Sequence, residues 1–126
     1  MADRPLALVT GASSGIGAEY CRQLAASGHD LLIVARDGAR LATLATELAA
    51  AHGVTVEPLV ADLVTDEGIA RVEQTIAARP ALHLLVNNAG FGTKGTLLAA
   101  DPAMQRAMLT LHVDCVHRLT RAALPG

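Results

Sequence analysis

Short apolar runs alternate along this chain with longer segments of helical period. Four runs rich in leucine or β-branched residues recur: LALVT (6–10), DLLIVA (30–35), VTVEPLV (54–60) and HLLVNN (83–88). Near-continuous apolarity over so few residues predicts strands buried on both faces. The segments between them read as helices. Residues 15–27 end before Gly28, a residue type favoured just past a helix C-terminus. Residues 38–52 follow Asp37 as N-cap, set Leu41, Leu44, Ala45 and Leu48 on one stripe, and stop at Gly53. Residues 66–78 place Ile69, Val72 and Ile76 on one face and end before Pro80. A fourth helix opens at DPAMQ, with Asp101 as N-cap and Pro102 at the first helical position, where its missing N–H costs nothing. It runs toward Pro125 and carries Met108, Leu111, Cys115, Val116 and Leu119.

The order βαβαβαβα, with right-handed crossovers, predicts an α/β fold. A doubly wound parallel sheet lies between two helical layers, a Rossmann-like αβα plan in a single domain over residues 1–126. Strands in the order 3-2-1-4 leave the fourth as an open edge and its neighbouring helix half uncovered. A fifth strand is the expected continuation, so the chain reads as the amino-terminal piece of something longer, incomplete after its fourth helix.

Composition narrows the function. With 52% hydrophobic and 17% charged residues the chain can build a core and is not of the disordered type. A net charge of −2, with basic residues scattered from Arg4 to Arg121, gives no footprint for nucleic acid or an anionic membrane. No apolar stretch approaches the ~18 residues of a membrane span, and MADRPLALVT lacks the pattern of a signal peptide. Cys21 and Cys115 form no C-x-x-C and fall inside predicted helices. Buried free thiols, a reducing compartment and therefore a cytoplasmic location are expected. His29, His52 and His83 sit at predicted element ends, where exposure is expected, and suggest no metal site.

The candidate chemistry lies in VTGASSGIGA, residues 9–18. A glycine turn between a buried strand and a helix aims backbone N–H groups and the positive end of the helix dipole at one spot, which makes an anion site. The spacing excludes a P-loop, since Ile16 and Gly17 stand where Gly-Lys would be needed and the only lysine is Lys94. G-x-G-x-x-G is also absent, because Gly11, Gly15 and Gly17 read G-x-x-x-G-x-G.

TGASSGIG resembles the cofactor loop of the short-chain dehydrogenase/reductase family, T-G-x-x-x-G-x-G. Three further matches follow in order: AD at 61–62, NNAG at 87–90, and RLTRAALPG at 118–126, which looks like the end of the family's fourth helix. The resemblance covers essentially the whole chain. It implies NAD(H) or NADP(H) as cofactor and hydride transfer to or from a carbonyl or alcohol carbon of a small molecule. It also implies a cofactor site built from Gly11, Ser13, Ser14, Gly15, Ile16 and Gly17, from Asp62 and Leu63 beside the adenine, and from Asn88, Ala89 and Gly90. Asn88 can pin the loop between the central strands, touch the adenosine ribose, or serve only as a turn residue.

The family's NAD-type acid falls at Ala35, and Arg36 follows it. A guanidinium beside a small residue suits a 2′-phosphate, so NADP(H) is favoured over NAD(H). Asp37 is adjacent, though a helix cap suits it equally. The family's second basic position, inside the glycine loop, holds Ser13 and Ser14, and Arg40 either assists or faces solvent.

The family's proton donor is a tyrosine paired with lysine in Y-x-x-x-K, preceded by a serine. Here Tyr20 is followed at position 24 by Leu, and packing is its expected role. The catalytic segment is not in these residues. The family's helix asparagine aligns with His112, either a hydrogen-bonding catalytic substitute or a polar residue without that duty. Asp114 and His117, spaced i, i+3, can pair within the helix. The leading reading is an NADP(H)-dependent oxidoreductase represented by its cofactor-binding half, with self-association expected from the open edge and from the family's oligomers. The rival is a non-catalytic NADP(H)-binding module or sensor; a nucleotide-sugar enzyme or a methyltransferase is more distant.

Overall fold

The computed structural model describes residues 4–93 and 95–125. These residues form strands β1 (Leu6–Thr10), β2 (Asp30–Ala35), β3 (Val56–Val60) and β4 (Leu82–Val86) in one parallel sheet, ordered β3-β2-β1-β4. Helices α1 (Gly15–Ala26), α2 (Gly38–His52) and α3 (Asp66–Ala77) cross between successive strands. The pleat sorts the apolar runs into two cores. Ala7 and Val9 of β1 with Leu31 and Ile33 of β2 meet α1 and α2, while Leu8, Leu32 and Val34 point to the other face, toward Ile69, Val72 and Ile76 of α3. Fully buried side chains such as Leu8, Leu32 and Ile33 each contribute about 1.5–3 kcal/mol, which makes the two central strands the rigid floor of the molecule.

Three helix starts are held by side chains. Asp37 accepts from the Arg40 amide at 3.1 Å, Thr65 from the Gly68 amide at 3.0 Å, and Asp101 from the Ala103 amide at 2.9 Å. Such caps contribute about 1 kcal/mol each. Gly53 closes α2 in the left-handed region at φ 67°, as its position after the helix predicts.

The edges depart from the sequence reading. β3 starts two residues later than its apolar run, and Asn87 and Asn88 leave β4 rather than extend it. Neither strand is buried on both faces: Val60 and Leu84 are both exposed large apolar residues. Apolarity alone does not distinguish an edge strand from a central one, whereas Pro58 within β3 fits an edge, where one side needs no N–H donor.

The fourth helix is not one regular helix. It divides into α4 (Pro102–Leu109), a π turn over Thr110–Cys115, and α5 (Val116–Ala123). Its inner side is better covered than expected, because α3 packs beside it over the sheet: Leu111, Cys115 and Leu119 are buried in the core that holds Leu8 and Leu32 with Ile69 and Val72. Arg118 ties the pair together, donating from Nε and Nη2 to the two carboxylate oxygens of Glu73 at 3.2 and 2.6 Å and from Nη1 to Asp66 at 3.0 Å. Asp114 turns to Arg118, at 3.8 Å, and not to His117. Tyr20 is also corrected. It is 47% exposed on the outer side of α1 and packs little. His52 and His83 are exposed, but Nδ1 of His29 is buried and has no partner among the described residues.

Candidate functional site

The site is organised by the threonine that opens the TGASSGIG match, to which the sequence alone assigns no role. Thr10 ends β1 and is a buried polar residue, only 2% exposed. Its hydroxyl accepts from the amides of Asn88 and Ala89, each at 3.0 Å, and donates toward the Val86 carbonyl at 3.4 Å. One donor and two acceptors saturate a hydroxyl. The chain leaving β4 is thereby fastened to the end of β1. Asn88 adds a second tie, its Nδ2 donating to the Gly11 carbonyl at 3.2 Å, so its side chain pins the loop between the central strands.

The same arrangement explains Gly17. A Cβ there would lie 2.1 Å from the Gly11 carbonyl oxygen and 2.5 Å from Asn88 Nδ2, so α1 enters flush against the loop only without a side chain. Gly15 is needed for its backbone, at φ 58° with open space around it. Unlike α2, α3 and α4, α1 donates no amide hydrogen bond to its N-cap side chain, Ser14. Its first amides keep their donors directed out of the helix end, as an anion requires.

Over the carboxyl ends of the strands lies a cleft of about 730 Å³. It brings together Gly11, Ser13, Ser14 and Ile16 of the first loop, Ala35 and Arg36 after β2, Asp62 and Leu63 after β3, and Asn88, Ala89 and Gly90 after β4. Gly15 and Gly17 support it from outside its lining. Phe91, Val64, Met104 and Leu111 complete the wall and were not anticipated. Asp62 uses one carboxylate oxygen to accept from the Val64 amide at 3.2 Å, which fixes the turn that carries it. The two thiols take no part in this chemistry. Burial pushes Cys21 up to about 12 and Cys115 up to about 11, so both are protonated at neutral pH.

His112 lies in the π turn and outside the lining of the cleft. Its Nε2 stands 3.0 Å from the Phe91 amide nitrogen and 2.9 Å from the Phe91 carbonyl oxygen. A bare Nε2 accepts from the amide, whereas a protonated one donates to the carbonyl. Gly90 makes room for the ring, since a Cβ there would lie 2.5 Å from His112 Cε1. The contact ties the fourth helix to the loop after β4.

Residues 5–126 match the family model of the short chain dehydrogenases. The chain belongs to the short chain dehydrogenase family. Within that family, the galactitol 2-dehydrogenase (L-tagatose-forming) of Cereibacter sphaeroides is 37% identical over 120 residues, covering 95% of this chain and 46% of that protein. Two solved structures superpose on this short chain dehydrogenase domain. The bulky-bulky ketone specific alcohol dehydrogenase from Comamonas testosteroni has 36% identity and a TM-score of 0.93, over 97% of this chain and 49% of that one. The short-chain dehydrogenase from Sphingobium yanoikuyae, solved in complex with NADPH, has 40% identity and a TM-score of 0.93, over 96% of this chain and 48% of that one. The chain thus spans about half the length of these relatives. No helix of the described residues is long and apolar enough to cross a membrane.

Proposed function

We propose that this chain is the cofactor-binding part of an NADP(H)-dependent oxidoreductase acting on a small carbonyl or alcohol substrate. The observation that carries the reading is that Arg36 and the α1 end, uncapped by its N-cap side chain, border one cleft, with Ala35 in place of an acid at the end of β2. The residues fit a dinucleotide. The loop Gly11–Gly17 would hold the pyrophosphate, Asp62 and Leu63 the adenine, and Arg36 the 2′-phosphate. Asn88, Ala89 and Gly90 form the floor beneath it. When bound, the nicotinamide supplies or receives the hydride. The Sphingobium yanoikuyae relative, solved in complex with NADPH, supports NADP(H) binding.

His112 serves in this reading as a positioning residue that holds the Gly90–Phe91 segment, rather than as a proton donor. A cytoplasmic location and self-association through the open side of β4 belong to the same proposal. A second reading is a non-catalytic NADP(H)-binding module, which the same cleft would serve.

Fluorescence titration tests the cofactor assignment. NADPH is expected to bind more tightly than NADH, and Arg36→Ala to remove most of the difference, since a charged hydrogen bond contributes about 1.5–3 kcal/mol. Equal affinities in the unmutated chain would refute it. Turnover of NADPH by the chain with any member of a carbonyl panel would remove the second reading.

A further inference from the structure

Beyond Arg36, a second hollow of about 510 Å³ adjoins the cofactor cleft, sharing Arg36, Ala61 and Asp62 with the first and walled on its far side by Thr65, the N-cap of α3, and by Glu67, Gly68 and Arg71 of that helix. The helix reaches this position through a close approach. A Cβ on Gly68 would lie 1.9 Å from the Asp62 carbonyl oxygen and 2.6 Å from its carbonyl carbon, so α3 rests its first turn directly on the backbone of Asp62. Thr65 locks the same corner, donating from its hydroxyl to the Asp62 carbonyl at 2.8 Å and accepting from the Gly68 amide at 3.0 Å.

Arg71 stands three residues after Gly68 and so shares its face of the helix. Its Nη1 donates to the carbonyl of Val60, the last residue of β3, at 3.1 Å. That bond uses one of five guanidinium N–H donors. Neither Arg36 nor Arg71 has a carboxylate within ion-pair distance among the described residues, whereas Arg4, Arg22, Arg79 and Arg118 all do. Two guanidiniums without a carboxylate partner, one just after β2 and one from α3, therefore line a single hollow at the carboxyl end of the sheet, where ligands of such folds bind. Of the two carboxylates in that wall, Asp62 is engaged by Val64, and Glu67 is exposed on the first turn of α3.

We propose that Arg71 is a specificity-determining residue that grips the 2′-phosphorylated adenosine end of the cofactor from the side opposite Arg36. This assignment rests on the NADP(H) reading above. Arg71 is held in place before the ligand arrives by its bond to Val60, so little side-chain freedom is lost when its remaining donors meet a phosphate.

The test uses 2′,5′-ADP and 5′-AMP as probes, titrated calorimetrically into the 126-residue chain. Arg71→Met keeps the stem and removes the charge. It is expected to weaken 2′,5′-ADP about tenfold and leave 5′-AMP within about twofold. Unchanged 2′,5′-ADP binding, or an equal loss for both probes, would overturn the assignment. Glu67→Gln tests the same field without disturbing the anchor of Arg71. It should tighten 2′,5′-ADP about two- to threefold and leave 5′-AMP unchanged, and no tightening counts against the proposal. The two levels of inference fail differently. An unmutated chain that binds both probes equally removes the NADP(H) reading itself. A preference that is abolished by Arg36→Ala and untouched by Arg71→Met removes only Arg71.

Discussion

Replacing Thr10 by valine changes almost nothing in shape and removes the hydroxyl that joins β1 to the chain leaving β4. Two amides, those of Asn88 and Ala89, lose their acceptor, and the Val86 carbonyl loses a donor. A buried unpaired amide costs about 1–3 kcal/mol. The loop borders the cleft, where water reaches part of it, so the lower end applies and Thr10→Val should cost about 2–3 kcal/mol. Thr10→Ser is the control, because it keeps the hydroxyl and removes one methyl, worth about 0.8 kcal/mol. Valine should thus be less stable than serine by at least about 1 kcal/mol, although strand propensity ranks the two the other way. The chain has no tryptophan, so urea unfolding is best followed by far-UV circular dichroism. With a slope of about 1–3 kcal/mol per molar, the midpoints should differ by roughly half a molar. A valine variant as stable as the serine variant would show that the loop is held by packing and not by the hydroxyl.

Gly17→Val should abolish NADPH binding in a fluorescence titration, since its Cβ would collide with the Gly11 carbonyl and Asn88; retained binding would mean that α1 need not lie flush on the loop. His112→Gln brings an amide donor and acceptor to the position of Nε2 and should leave the unfolding midpoint near that of the parent, whereas His112→Leu should lower stability by about 1–2 kcal/mol. Equal behaviour of these two variants would remove the latch. Light scattering should detect dimers or larger species, because β4 carries an open edge with Leu84 exposed, and Leu84→Lys should shift them toward monomer. A monodisperse unmutated monomer would show that the edge is not adhesive.

The order of elements and the strand order were readable because each signal was local or topological. Gly53, Asp37 and Asp101 mark helix ends by their own chemistry, and right-handed crossover leaves few ways to arrange four parallel strands. The cleft was readable at Gly11, Arg36 and Asn88 because their types suit a phosphate and a strand end. What remained hidden depends on partners distant in sequence. Thr10 is one more β-branched strand residue until the chain 78 residues later supplies an amide for its hydroxyl. Arg71 is one more exposed helix cation until Gly68 brings α3 onto Asp62. The π turn escaped because Leu111, Cys115 and Leu119 recur every four residues, a spacing that an ordinary helix also shows over so short a span.

That π turn also fixes a phase relation. Its wider hydrogen-bonded loops accommodate one more residue than an α-helix would across the same span, and each helical residue turns the chain by about 100°. Upstream of the turn, α4 contributes Met104 to the cleft; downstream, Arg118 and Leu119 must meet Glu73 and the core over α3. Wound as regular α-helix with none of its residues removed, Thr110–Cys115 would rotate one half against the other by roughly one residue's turn of about 100°. Either the cleft wall or the α3 clasp would then face the wrong way. The widened turn is what lets the extra residue stand here without turning the two halves apart, so its hydrogen-bond register is as much a part of the site as any side chain in it.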